Sequence, residues 1–319
     1  MYRDKVIAVV VPAFNEEVLI QETLLGIPDF VDRVYVINDG SRDCTGERIR
    51  EVASKDGRIV LINHETNKGV GAAIVTGYAR SFKDGMDITA VMAGDNQMDP
   101  LELPKLLDPV VDGEADYSKG NRLRSRDTAK GMSSWRYFGN NLLTYMTRIA
   151  AGSARISDPQ NGYTAISNHV FKTMRPESIF TWYGYCNDML VKLSAYGFVI
   201  RDVEIPARYG RERSGISYPK YIYRISRLLF NELVWRLNHQ QLRESTKGAD
   251  SVMTIGASLS FGGLLVAGLS IGAPLSGIAM TESRIGMLLI VALVGASILY
   301  MGHAVKSGGN FENINDKKV

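Results

Sequence analysis

The sequence predicts an α/β protein: a doubly wound, mostly parallel sheet, followed by C-terminal interfacial helices and a two-helix transmembrane hairpin. Three observations carry this expectation. Apolar runs of strand length alternate with stretches of helical spacing over the first hundred residues, polar clusters recur where those runs end, and two long C-terminal stretches carry no charge. With 319 residues, 45% of them apolar and 22% charged, the chain can bury a sizeable core, so disorder is excluded as a description of the whole.

The elements follow in order. Lys5–Val11 is a continuous apolar run, as expected of a parallel strand covered on both faces. Glu16–Leu25 has helical spacing through Val18, Leu19, Ile20, Leu24 and Leu25, with Asn15 placed to cap its first turn. A second strand, Arg33–Asn38, ends in the turn signature Asp39-Gly40-Ser41 and is followed by a helix over Cys44–Ala53. Arg58–Asn63 reads as a third strand, Gly69 to Phe82 as its helix, and Asp87–Ala93 as a fourth strand. In such a sheet the ligand lies outside the carboxyl ends of the strands.

Chemistry-bearing residues fall at those ends. Pro12 to Glu17 follows the first strand, Asn38 to Ser41 the second, His64 to Gly71 the third, and Gly94 to Pro100 the fourth. Each cluster alone reads as a plain turn, and Gly69-x-Gly71 lacks the third glycine of a dinucleotide fingerprint. Together they describe a nucleotide-sugar site. Carboxylates after the first two strands suit a base and ribose, and Asp95 with Gln97 offers hard oxygen ligands for a divalent ion on a diphosphate. Further along, Arg122, Arg124, Arg126, Lys130 and Arg136 concentrate cations that grip phosphate, which points to an anionic acceptor.

These pieces resemble family 2 glycosyltransferases of the GT-A fold, and within them the synthases that glycosylate polyprenyl or dolichyl phosphate. The resemblance runs from about Val6 to Arg243 and rests on Val11 to Glu17, Asn38 to Ser41, Asn67-Lys68-Gly69, Gly94 to Gln97, Gly120-Asn121-Arg122, Asp158 to Tyr163 and Tyr185 to Pro206. It implies that Pro12, Ala13, Phe14, Asn15, Glu16, Asn38, Asp39, Gly40, Lys68 and Gly69 hold the donor nucleotide. It further implies that Asp95 and Gln97 bind Mg2+ or Mn2+, that Asn121, Arg122, Arg136, Arg208 and Lys220 hold the acceptor phosphate, and that Asp95, Asp158 and Asp188 are catalytic. Asn38 and Ala93 stand where relatives often carry Asp, which leaves Asp99 as an alternative metal ligand. The expected reaction is inverting transfer from a UDP- or GDP-sugar to a lipid phosphate, for glycan or glycoprotein assembly. Transfer to a hydroxyl of a lipid-linked glycan, with Asp188 as base, is the alternative within the class, and a non-catalytic membrane-tethered binding module the alternative outside it. A homo-oligomer is compatible with either.

The remainder of the chain changes character. Eight Lys or Arg between Pro206 and Arg243, interleaved with Tyr218, Tyr221, Tyr223, Phe230 and Trp235, suit helices lying at an anionic headgroup layer. No nucleic-acid motif accompanies this basic segment, so nucleic acid is not expected as a partner. Neither Ser251–Thr281 nor Ile285–Val305 contains Asp, Glu, Lys or Arg, and each can supply the roughly 20 apolar or small residues that cross a bilayer as a helix. The expected domains are a GT-A domain over 1–215, interfacial helices over 216–247, the hairpin over 248–305 and a tail over 306–319. Cations flanking the hairpin place both ends in the cytoplasm, giving a multi-pass protein of the cell membrane with a cytoplasmic catalytic domain and the lipid bilayer as a partner. The run Val6–Val11 is too short for a cleaved signal segment. The two cysteines, Cys44 and Cys186, fit a reducing compartment and exclude a thiolate zinc site.

Overall fold

The computed structural model describes residues 1–123, 134–174, 178–206, 208 and 218–241. The chain divides into two compact units, one of residues 1–147 with 153–215 and the other of residues 148–152 with 216–319.

The first unit is built on a mixed seven-stranded sheet: β1 (Ile7–Ala13), β2 (Arg33–Asp39), β3 (Ile59–His64), β4 (Ile88–Val91), β5 (Tyr117–Asn121), β6 (Thr164–Ser167) and β7 (Ile200–Glu204), in the order β3-β2-β1-β4-β6-β5-β7. β3, β2, β1 and β4 are mutually parallel, with Val9 opposite Val34 and Ala90. β6 runs antiparallel to both β4 and β5, while β5 and β7 are parallel to each other. The four predicted strands are therefore present within two residues of their expected bounds at either end.

Every residue of β1 is buried, which accounts for its unbroken apolar run. Ile7, Val9, Val11 and Ala13 share one cluster with Ile20 and Leu24 of α1 (Ile20–Leu25), Ile49 and Val52 of α2 (Thr45–Ala53), and Leu103, Leu106, Leu107 and Val110 of α4 (Leu103–Val111). Burying one such aliphatic side chain stabilises the fold by about 1.5–3 kcal/mol. α3 (Val70–Lys83) packs on β1 and β2 outside that cluster, and its Tyr78 meets Phe171 of α6 (Asn168–Thr173) edge-on, with centroids 5.2 Å apart.

One helix start departs from the sequence reading. The first helix begins at Ile20, not Glu16, and Asn15 does not cap it. Asn15 instead takes a left-handed φ of 56°, and its side-chain oxygen accepts the Arg42 N–H at 2.9 Å, so it ties the loop after β1 to the loop after β2. Further along, α7 (Tyr185–Tyr196) starts after Gly184, whose φ of 118° sets its first turn and leaves Asp188 within it.

In the second unit α8 (Tyr218–Gln241) is a single helix about 36 Å long. Ile225, Leu228, Leu229, Leu233 and Leu237 are buried at helical spacing, whereas Arg224, Arg227, Phe230 and Val234 are exposed. Arg236, one of the eight basic residues, is buried, and its guanidinium donates to the Ile149 carbonyl at 3.4 Å. The hairpin expected over 248–305 and the tail over 306–319 lie outside the described residues. Among the described residues no helix is long and apolar enough to cross a membrane.

Candidate active site

The carboxyl ends of β1 and β2 carry loops that are stitched to one another. Asn15 N–H donates to Ser41 Oγ at 3.0 Å, Glu16 N–H to Thr45 Oγ1 at 2.7 Å, and Cys44 N–H to a Glu17 carboxylate oxygen at 3.0 Å. Pro12 and Ala13 are buried in β1, and Phe14 is exposed just beyond it.

Asp39 closes the next part of the rim. Its carboxylate is buried and accepts the backbone N–H groups of Lys68 and Gly69, each at 2.9 Å, while His64 Nδ1 lies 2.6 Å from Oδ1. His64 Nε2 is in turn 3.0 Å from Thr76 Oγ1. Asn38 donates to Asn63 Oδ1 at 2.9 Å and accepts the Ser41 N–H. The ends of β2 and β3 and the start of α3 are thus one hydrogen-bonded unit, with Gly40 at its turn (φ 70°).

Beyond β4, Asp95 Oδ1 accepts the Gln97 N–H at 3.1 Å across Asn96, whose φ is 56°. Asp99, the alternative ligand, caps a 3-10 turn over Pro100–Glu102 by accepting the Leu101 N–H at 3.0 Å. Burial pushes the Glu16 carboxyl up to about 7, with the nearby negative charges of Asp95 and Asp43 adding to it. The same two carboxylates, Asp95 and Glu16, act after burial to raise the Tyr183 hydroxyl. Glu16, Asp95 and Tyr183 therefore belong to one locality. A carboxylate and an amide oxygen, with surplus negative charge beside them, are a donor set that fits Mg2+ or Mn2+. Among the described residues no group of three or more His, Cys, Asp or Glu gathers as a metal site.

The other half of the sheet is organised by ion pairs. Asp158, fully buried at φ 38°, accepts the Arg122 backbone N–H at 2.9 Å and grips its guanidinium through Nε at 2.8 Å and Nη2 at 3.0 Å. Burial pushes this carboxyl up, but the Arg122 charge and hydrogen bonds, with Lys119 nearby, outweigh it and hold it below the ordinary range. Lys119, buried in β5, pairs with Asp202 at 2.9 Å, and Asp202 also accepts the Ser157 N–H at 3.0 Å. Asp188, fully buried, pairs with Lys192 at 2.7 Å and accepts the Phe180 N–H at 2.7 Å. Asn121 is buried and accepts the Leu123 N–H at 3.0 Å. Arg208 is exposed. Arg136 lies in α5 (Ser134–Ala151) and Lys220 in α8, but their side chains, like Arg124, Arg126 and Lys130, lie outside what is described.

Sequence reasoning named His64 only as the edge of the third cluster and did not single out Lys119, Lys192, Asp202, Trp182 or Tyr183. One signal was available: Asp188 and Lys192 stand four residues apart, the spacing of a helical ion pair.

Comparison with known proteins agrees with this architecture. The chain is 26% identical over 219 residues to the UDP-N-acetylglucosamine–dolichyl-phosphate N-acetylglucosaminyltransferase of Methanococcus voltae, covering 65% of this chain and 87% of that one. It is 29% identical over 219 residues to the polyprenol monophosphomannose synthase of Mycolicibacterium smegmatis, covering 66% and 79%. The fold is shared with glucosyl-3-phosphoglycerate synthase of Mycobacterium tuberculosis in complex with uridine diphosphate, at a TM-score of 0.55 and 23% identity over 72% of this chain and 80% of that one. Other crystals of that synthase hold Mn2+ or Mg2+ with uridine diphosphate. A family model described as Glycosyl transferase family 2 matches residues 8–174, over half of the chain and all of the strand-end loops from Pro12 to Asp99. The mixed sheet resembles that of GT-A enzymes, its rim carries acidic loops, and the chain belongs to glycosyl transferase family 2: it is a glycosyltransferase.

Proposed function

We propose that this glycosyltransferase moves a sugar, with inversion, from a UDP- or GDP-sugar to a membrane polyprenyl or dolichyl phosphate. The observation that carries the reading is the pair of stitched loops after β1 and β2, with the Asp95 loop after the neighbouring β4, at one end of the parallel strands. That is where a doubly wound sheet receives a nucleotide. The two lipid-phosphate transferases to which the chain is similar supply the acceptor class.

Asp95 and Gln97 would hold the divalent ion, which would supply charge stabilisation to the departing diphosphate. The stitched loops from Ala13 to Thr45 and the Asp39 unit fix the backbone against which nucleoside and diphosphate rest. Arg122, oriented by the buried Asp158, presents a guanidinium whose charge and planar fork suit an acceptor phosphate. A phosphate monoester, with a second pKa of about 6, is mostly a dianion near neutral pH and attacks the anomeric carbon without a strong general base. Its oxygen forms the new glycosidic bond as the bond to the nucleoside diphosphate breaks, which inverts the configuration. The charge-free stretches after Asp250 and the exposed Arg224, Arg227 and Phe230 of α8 support a bilayer location, with the catalytic unit on the cytoplasmic side.

Incubating membranes that contain the protein with labelled UDP- and GDP-sugars and polyprenyl phosphate, then extracting with organic solvent, tests the reading. Label should enter the lipid phase as a phosphate-linked sugar of inverted configuration. Label appearing only in a hydroxyl-linked glycan or in a water-soluble phospho-acid would sink it.

A further inference from the structure

Residues Ser178–Gly184 cross the start of α3 as a strap secured on two sides. On one side, Phe180 N–H donates to Asp188 and Lys192 Nζ donates to the Ser178 carbonyl, while Lys192 and Asp188 form their buried pair. On the other, the Ala72 N–H, an otherwise orphan donor of the first turn of α3, donates to the Thr181 carbonyl at 3.1 Å. The approach is so close that it needs glycine: a Cβ on Gly69 would fall 2.5 Å from the Thr181 carbonyl oxygen and 2.9 Å from Trp182 Cδ2, and one on Gly71 would collide with the Phe180 carbonyl. Lys68 and Gly69 are the residues whose N–H groups Asp39 holds.

The strap thus lays Trp182 against the Asp39 unit and brings Tyr183 near Asp95 and Glu16, yet leaves both aromatic side chains 46% and 59% exposed. A Trp face with an open side, on a backbone secured at both ends, suits a planar or ribose-like partner. Asp95 and Glu16, when ionised, only accept hydrogen bonds, whereas the Tyr183 hydroxyl can donate one to a phosphate oxygen arriving between them. We propose that Trp182 and Tyr183 form the outer wall of the donor pocket, Trp182 against the nucleoside and Tyr183 against the diphosphate, and that Asp188 is a positioning residue holding this wall through the Phe180 N–H and Lys192. The proposal rests on the nucleotide-sugar reading above.

The test measures binding of UDP and of GDP, each with Mg2+, to the purified full-length protein in detergent by calorimetry, alongside thermal unfolding. Wild type should bind one of the two. Trp182→Ala should weaken that binding about 10-fold or more, the order of one lost base–aromatic stack, with an unchanged unfolding temperature, because the side chain is half exposed. Tyr183→Phe should weaken it less. Asp188→Asn should raise the donor KM more than it lowers kcat and leave the lipid-phosphate KM unchanged, a split that general destabilisation does not produce. Wild-type binding matched by both aromatic variants would overturn the wall. A fall in kcat alone for Asp188→Asn would overturn its positioning role. Failure of wild type to bind either nucleotide would overturn the nucleotide-sugar reading itself, and this inference with it.

Discussion

Around the candidate site, the two halves of the sheet hold their carboxylates with different kinds of partner. On the β3-β2-β1-β4 side Asp39 is met by backbone N–H groups and His64, Asp43 by Thr45, and Asp95 by the Gln97 N–H, and Glu16 is raised to about 7 beside Asp95. On the β6-β5-β7 side and the adjoining α7, Asp158, Asp188 and Asp202 each have a cation of their own: Arg122, Lys192 and Lys119. The first half holds its rim carboxylates with N–H and hydroxyl groups of its own loops and with His64. The second half neutralises itself and uses its pairs to fix loops. Carboxylate and function are thus not synonymous here, and the two sets differ in whether loop N–H and hydroxyl groups or a side-chain cation hold them.

If this division holds, the largest effect belongs to the first half. Asp95→Ala should cut turnover on the order of 100-fold or more, as expected when charge stabilisation of a transition state is removed, with an unchanged unfolding temperature. Gln97→Ala should cost less, since it removes no charge. Initial rates over a Mg2+ titration check both, and wild-type activity persisting in excess chelator would erase the distinction.

In the second half the principal loss should be stability. Asp158→Ala strands the Arg122 guanidinium in a partly buried site and should destabilise the fold by roughly 3 kcal/mol, measured by denaturant unfolding. Nucleotide affinity of the remaining folded protein should not change. A stable but inactive variant would move Asp158 into the first class.

Smaller, and more selective, is the effect expected at the acceptor. Arg122→Lys keeps the charge but loses the bidentate fork, and should raise the apparent KM for lipid phosphate several-fold more than the KM for donor. Equal changes in the two constants would place Arg122 away from the acceptor.

The smallest effect lies in pH. The Asp158 carboxyl is held below its ordinary 3.8, so its stabilisation is complete above that value and is lost as pH falls through the lower, folded-state value. Stability of Asp158→Asn should consequently fall less steeply on acidification below about pH 4 than that of wild type. Parallel acid-unfolding curves for the two proteins would remove this proton from the linkage.

Much of the first half was legible because its signals are local. An apolar run of strand length followed at once by polar residues declares both strand and loop, and this recurs at Ala13, Asp39, His64 and Val91. Asn15 misled for an equally local reason, since an Asn before a helical pattern suits a cap until the next loop offers its own N–H. The second half was less legible because its partners are remote. Lys119 and Asp202 meet only when β5 and β7 pair, and nothing near Trp182 indicates that it lies against Gly69. β6, four residues inserted antiparallel between β4 and β5, has too little length to announce a direction.

The bond from Ala72 N–H to the Thr181 carbonyl also has a history in time. It joins residues more than one hundred positions apart, so loop closure delays it relative to the parallel strands before it. During synthesis, β1 to β4 with α1 to α3 can assemble while the strap is still inside the ribosome, and the nascent chain then carries an acidic rim without its aromatic wall. Donor binding should accordingly mature late, after α7 emerges, and the last part of the pocket to form is the part furthest along the chain from the residues it covers.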